Sequence, residues 1–119
     1  MNEFQEKLKR LMDEYVHFIY RICKNFPDDE KYGITSQIKR ASMSIILNYI
    51  EGYARKKPAV RLNFMEISYG SLKESNYILY FVLVEKIIST ELYWQGKKYA
   101  EEIGAMLWTE ISNLDKKLN

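Results

Sequence analysis

The chain has 119 residues, 47% of them hydrophobic and 29% charged, with a formal net charge of +2. These values describe one globular domain, residues 1–119, and exclude a disordered or collagen-like chain. They also exclude a partner chosen by bulk charge alone, and the single Cys23 excludes an internal disulfide.

Positive charge is unevenly placed. Residues 39–61 carry Lys39, Arg40, Arg55, Lys56, Lys57 and Arg61 against Glu51 alone. Local clusters of this kind steer anions more than totals do.

In chain order, Phe4, Leu8, Leu11, Tyr15, Phe18 and Ile22 recur at helical spacing. They predict a first helix from about Glu3 to Lys24, widened by a second row of Met12, Ile19 and Cys23. Asn25 to Gly33 breaks it, because Pro27 discourages helix at Phe26. A second helix starts near Thr35 or Ser36, either of which is a good cap. Its polar residues Gln37, Arg40, Ser44, Asn48, Glu51 and Arg55 form one narrow stripe. Met43, Ile45, Ile46, Leu47, Tyr49 and Ile50 fill most of the remaining surface. One neighbour cannot cover that much apolar surface, so this helix is expected at the centre or at an interface between copies.

Lys56, Lys57 and Pro58 form a short turn, with Pro58 suited to the first helical position. The third helix is expected to reach Ile88. Its segment Tyr77 to Val84 has the composition of a strand, but its length and the lack of a partner strand favour helix. A short turn makes helices two and three antiparallel. Pivoting at residue 57 sets Ser44 opposite Gly70 and Ser71, and Arg40 opposite Glu74 as an ion pair. Arg40, Ser44, Asn48, Glu51, Ser71 and Glu74 are read as a polar seam that fixes helix register. Arg40→Ala is therefore expected to destabilise more than Lys56→Ala.

Ser89, Thr90 and Glu91 open a last helix to about Leu118. Its core face is Leu92, Tyr99, Ile103, Leu107, Leu114 and Leu118, with Trp108 and Trp94 directed outward. The fold expected is all-α, an antiparallel up-down-up-down four-helix bundle assembling as a homo-oligomer.

Chemical motifs are sparse. Glu14 and His17 match half of a di-metal bundle element, but His17 is the only histidine. Cys23 lacks a nucleophile's partners, and Gly96-Lys97-Lys98 lacks the rest of a phosphate loop. No catalytic residue, metal site or cofactor is expected, so the chain reads as non-enzymatic. Lys39, Arg40, Arg55, Lys56, Lys57 and Arg61 are the candidate nucleic-acid-binding residues, with a solvated turn as the alternative. The N-terminus has no signal-peptide order and no run approaches a membrane span, so a cytoplasmic protein is expected.

Several runs carry a family resemblance: F-P-D-D-E-K-Y-G-I-T-S-Q-I-K-R-A-S-M-S-I, N-Y-I-E-G-Y-A-R, F-M-E-I-S-Y-G-S-L-K-E and the closing E-E-I-G-A-M-L-W. They resemble the 23S rRNA intervening-sequence proteins, from Phe26 to Trp108. That family is similar to the accessory proteins of diversity-generating retroelements. The resemblance implies four-helix subunits in ring-like homopentamers and association with RNA or DNA through basic surfaces. Leu47, where many members have proline, and Ala54, in place of a commoner glycine, depart from the pattern. A scaffold for a protein partner encoded nearby, without nucleic acid, remains open.

Overall fold

The computed structural model describes residues 1–119 and contains four α-helices. α1 is Glu3–Cys23, α2 Ile34–Tyr53, α3 Pro58–Val84 and α4 Thr90–Leu118, with a 3-10 turn at Asp28–Glu30. Each helix packs on its two neighbours in cyclic order, α1 on α2, α2 on α3, α3 on α4 and α4 on α1. The backbones of the diagonal pairs stay apart, and those helices meet only through side chains. Short connections with this order give an up-down-up-down four-helix bundle, measuring 46 × 25 × 21 Å.

Local sequence explains most boundaries. Asn2 and Gln5 form a capping box at α1: Gln5 N–H donates to Asn2 Oδ1 (2.8 Å) and Asn2 N–H to Gln5 Oε1 (2.9 Å). Ser89 caps α4 by accepting from Leu92 N–H at 3.1 Å.

Three expectations need correction at helix ends. α2 begins at Ile34, so Thr35 and Ser36 lie inside it and Gly33 is the N-cap, without a side-chain cap bond. The carboxylate of Glu30 accepts from Ile34 N–H instead, at 3.4 Å. Thr35 is buried, and its Oγ1 has no hydrogen-bond partner. α3 stops at Val84 rather than Ile88, because Lys86 turns into the left-handed region with φ 61°. Lys86 N–H then donates to Leu83 O (3.0 Å) and Ile87 N–H to Val82 O (2.8 Å), a Schellman ending that folds Ile88 back into the core. Phe4 and Leu118, assigned to core faces by periodicity, are exposed; both lie in terminal turns, and Phe4 borders an open cleft.

The core runs the length of the bundle. Leu8, Met12, Tyr15 and Ile19 of α1 meet Ile38, Ile45 and Tyr49 of α2, Met65, Leu72 and Leu79 of α3, and Ile103 and Leu107 of α4. Gly96 permits the closest approach of α4. A Cβ there would stand 2.6 Å from Leu79 Cδ2 and 2.9 Å from Phe18 Cε1, too near for either buried side chain.

Coverage of the middle helices is incomplete. Ile45 and Tyr49 are sealed inside, while Met43 and Ile46 are half-buried. Leu47 and Ile50 on α2, and Ile67, Tyr77, Tyr80 and Val84 on α3, remain exposed. No helix is long and apolar enough to cross a membrane.

Candidate nucleic-acid interface

The end of α2, the turn and the first turn of α3 hold four basic residues together. Arg55 pairs with Glu51 one helical turn earlier, and its guanidinium lies 5.4 Å from the centre of the Phe64 ring. Arg61 donates from Nε to Arg55 O at 2.6 Å and stacks 5.4 Å from the Tyr53 ring centre. These contacts hold both arginines against the bundle. Lys56 and Lys57 between them are exposed and form no ion pair.

Lys39 and Arg40 do not join this group. They sit about 20 Å further along α2, at 1.5 Å per residue. Lys39 lies over the Tyr20 ring at 4.9 Å. Arg40 is exposed and pairs with nothing; the ion pairs present are Lys7–Glu102 and Arg55–Glu51, and His17 lies beside Asp13. Glu74 is likewise exposed. The expected Arg40–Glu74 pair is therefore not formed, because both side chains leave from the outer edge of the α2–α3 contact.

The remaining seam residues lie between the helices. Ser44 Oγ and Ser71 Oγ are 2.8 Å apart. Asn48 Nδ2 donates to Ser44 O (2.8 Å) and Ser44 Oγ (2.9 Å). Ser68 Oγ, fully buried, donates to Ile45 O at 2.7 Å. Glu51 turns toward Arg55 and takes no part.

Sequence reasoning missed the most deeply set charge, Glu110 on α4, which is 9% exposed. Tyr49 and Tyr53, one turn apart on α2, both donate their hydroxyls to it, Tyr53 at 2.9 Å to Oε1. Gln5 Nε2 of α1 donates to Oε2 at 3.4 Å. Burial first, and then the adjoining carboxylate, hold the Tyr49 and Tyr53 hydroxyls far above the ordinary phenol value. Both remain neutral donors across the physiological range. A cleft of about 320 Å³ opens beside this cluster, with Arg61 and Lys117 on its walls. The signal was present in the sequence: Ile103, Leu107, Glu110 and Leu114 are spaced as one face. A second interior bond joins Tyr15 and Ser75, 3.0 Å apart, and burial pushes the Tyr15 hydroxyl up to about 12.

No group of three or more His, Cys, Asp or Glu side chains could hold a metal ion. Glu14 and His17 both face solvent. Burial raises the Cys23 thiol to about 11, against the opposing charge of Lys39, so it stays protonated at neutral pH.

Helix order, the inter-helix seam and the absence of a metal cluster define an all-α four-helix bundle without visible catalytic machinery. The model of the 23S rRNA-intervening sequence protein family matches residues 6–109, and the chain belongs to that family. It is also similar to a crystal structure of a protein with unknown function from the S23 ribosomal protein family of Bacteroides thetaiotaomicron. That likeness has a TM-score of 0.85 at 23% identity and covers 92% of this chain and 98% of the other. At that identity it speaks for the fold alone. No curated protein matches.

Proposed function

We propose that this chain is a non-enzymatic, cytoplasmic accessory protein that self-assembles, as a homopentamer, and presents its α2–α3 turns to RNA or DNA. The observation that carries the reading is the pair Lys56 and Lys57. They stand exposed and unpaired between two arginines that are themselves pinned to the bundle. Free ammonium groups on a braced turn suit phosphate contacts, and assembly would repeat the turn around a particle. The family's name, which refers to sequences within 23S rRNA, supports the same direction. Uncovered Leu47, Ile50 and Ile67 support assembly, since apolar side chains left in water on a monomer favour association.

Filter binding against salt tests the nucleic-acid part. The expected result is affinity that falls steeply with salt, with the slope reduced by roughly one for each of Lys56 and Lys57 replaced by alanine. Binding without a salt slope, or none at low salt, overturns it. A second reading, a scaffold for a protein partner, is favoured by the exposed Tyr77, Tyr80 and Val84 on α3, which are apolar or amphipathic and carry no positive charge. Recovery of a partner that survives nuclease treatment, together with absent nucleic-acid binding, would select it.

A further inference from the structure

The basic turn has no frame of its own. Neither Lys56 nor Lys57 donates its backbone N–H to a backbone carbonyl. The form of the turn is therefore set by what ties its two ends together. Gly52 lets those ends approach: a Cβ there would stand 3.2 Å from Phe64 Cβ and 2.9 Å from the Met65 methyl. Two ties then cross the gap. Arg55, at the end of α2, lies over the Phe64 ring of α3. Arg61 of α3 donates from Nε to Arg55 O at 2.6 Å, the one side-chain hydrogen bond that joins the turn to α3.

Arg61 is itself held from a third helix. Its guanidinium lies 5.4 Å from the Tyr53 ring centre. The Tyr53 hydroxyl donates to both carboxylate oxygens of Glu110 on α4, at 2.9 and 3.1 Å. The contacts thus run without a gap from Glu110 to the Tyr53 ring, to Arg61 and to the carbonyl of Arg55. Tyr49 offers a contrast. It donates to the same carboxylate from one helical turn away and is wholly buried. Its ring leans on that of Tyr53, with centres 5.1 Å apart, but bears no guanidinium.

We propose that Tyr53 and Glu110 are positioning residues for the basic turn: through Arg61, α4 fixes the backbone that presents Lys56 and Lys57. Neither residue needs to touch a phosphate. A turn locked before contact binds more tightly than one that must be ordered on contact, because its conformational freedom is already lost in the free subunit. The charge of Glu110 would act the other way, repelling a phosphate brought to the turn, so its benefit lies in the geometry it imposes. The consequence for binding rests on the nucleic-acid role proposed above. The fixing of the turn does not.

Tyr53→Phe removes the hydroxyl, keeps the ring under Arg61 and alters no charge. Tyr49→Phe removes the neighbouring hydroxyl from the same carboxylate and serves as the control. Trypsin reads the turn without nucleic acid, because it cuts after Arg55 and Lys56 but not after Lys57, which precedes a proline. Cutting there is compared with cutting at Lys97 and Lys98 inside α4, which requires wider unfolding. Tyr53→Phe should speed cleavage at the turn, relative to α4, by roughly fivefold, the worth of one hydrogen bond, while Tyr49→Phe stays close to the parent. In filter binding of an RNA oligomer of mixed sequence, Tyr53→Phe should weaken affinity by a similar factor at an unchanged salt slope, since no cation is lost. Arg61→Lys keeps the charge but loses the planar group and its Nε bond, and should reproduce both effects. Equal cleavage ratios in the two tyrosine variants overturn the proposal, as does a Tyr53→Phe turn no more open than the parent's. If the parent binds RNA, an affinity unaltered by Tyr53→Phe overturns it too. A parent that binds no RNA at low salt sinks the nucleic-acid reading instead, and the cleavage ratio still decides whether α4 holds the turn.

Discussion

The Glu110 cluster and the outer face of α2 lie within a few turns of each other and solve opposite problems. At Glu110 a buried charge is surrounded by its own donors, from α1 and from two turns of α2. On the outer face Leu47 and Ile50 are apolar groups left in water. The first region is complete within one chain, and the second is left open in it. The apolar core closes the subunit as in any bundle, and Glu110 adds one buried charge whose donors are all supplied from within.

The sharpest way to break this comparison is to charge the open side. If the chain assembles as proposed, Ile50→Lys should abolish that assembly and leave a 14.2 kDa subunit in light scattering, with the helical signal preserved. An unchanged particle mass would place the interface elsewhere. On the closed side, Glu110→Ala should cost about 3 kcal/mol, read as a lowered melting temperature, because two phenol hydroxyls lose their acceptor at once. The assembly should survive that change at temperatures where the subunit stays folded.

Alkaline pH probes the closed side without mutation. Tyr15 has its hydroxyl raised from 10.0 to about 12 in the folded chain. The neutral form is the one the fold favours, so stability is whole below pH 10. It falls between about 10 and 12, as the unfolded chain ionises first. Tyr49 and Tyr53 are raised as well and add to the same loss. Chemical denaturation across that range should show the decline, and Tyr15→Phe should flatten it by roughly 3 kcal/mol. The smallest effect is expected at Arg40→Ala. With Arg40 exposed and unpaired, the loss should stay within about 0.5 kcal/mol, equal to that of Lys56→Ala in paired melts. A clear difference would restore an interior role for Arg40.

Arg40 also shows what could be read from the chain and what could not. Helix order, the turn at Lys56–Pro58 and the antiparallel register of α2 on α3 were legible, because apolar spacing and a proline determine them. Ser44 does meet Ser71 as counted from that turn. Counting along two helices gives the level at which residues face each other, but not which side of the contact each leaves from. At Arg40 and Glu74 that unknown rotation decided the outcome. Glu110 was hidden for a different reason. A carboxylate on an apolar face reads as an interruption unless its donors are known, and Tyr49, Tyr53 and Gln5 come from two other helices. The early stop of α3 depends on a lysine adopting a backbone conformation for which glycine is the usual signal. The basic residues were legible as types and as a cluster at the turn. Their division into pinned arginines and free lysines was not, since it rests on contacts with Tyr53 and Phe64.

The bond from Gln5 to Glu110 spans 105 positions of the chain. Contacts of such separation form late, after the local ones that shorten the loop between them. On a ribosome, α1 emerges ahead of α4 and lacks one of its two walls until α4 follows. Its oily side must therefore wait, uncovered, while the three later helices are made, and the joining of Gln5 to Glu110 marks the moment when that side is shut away from its neighbours.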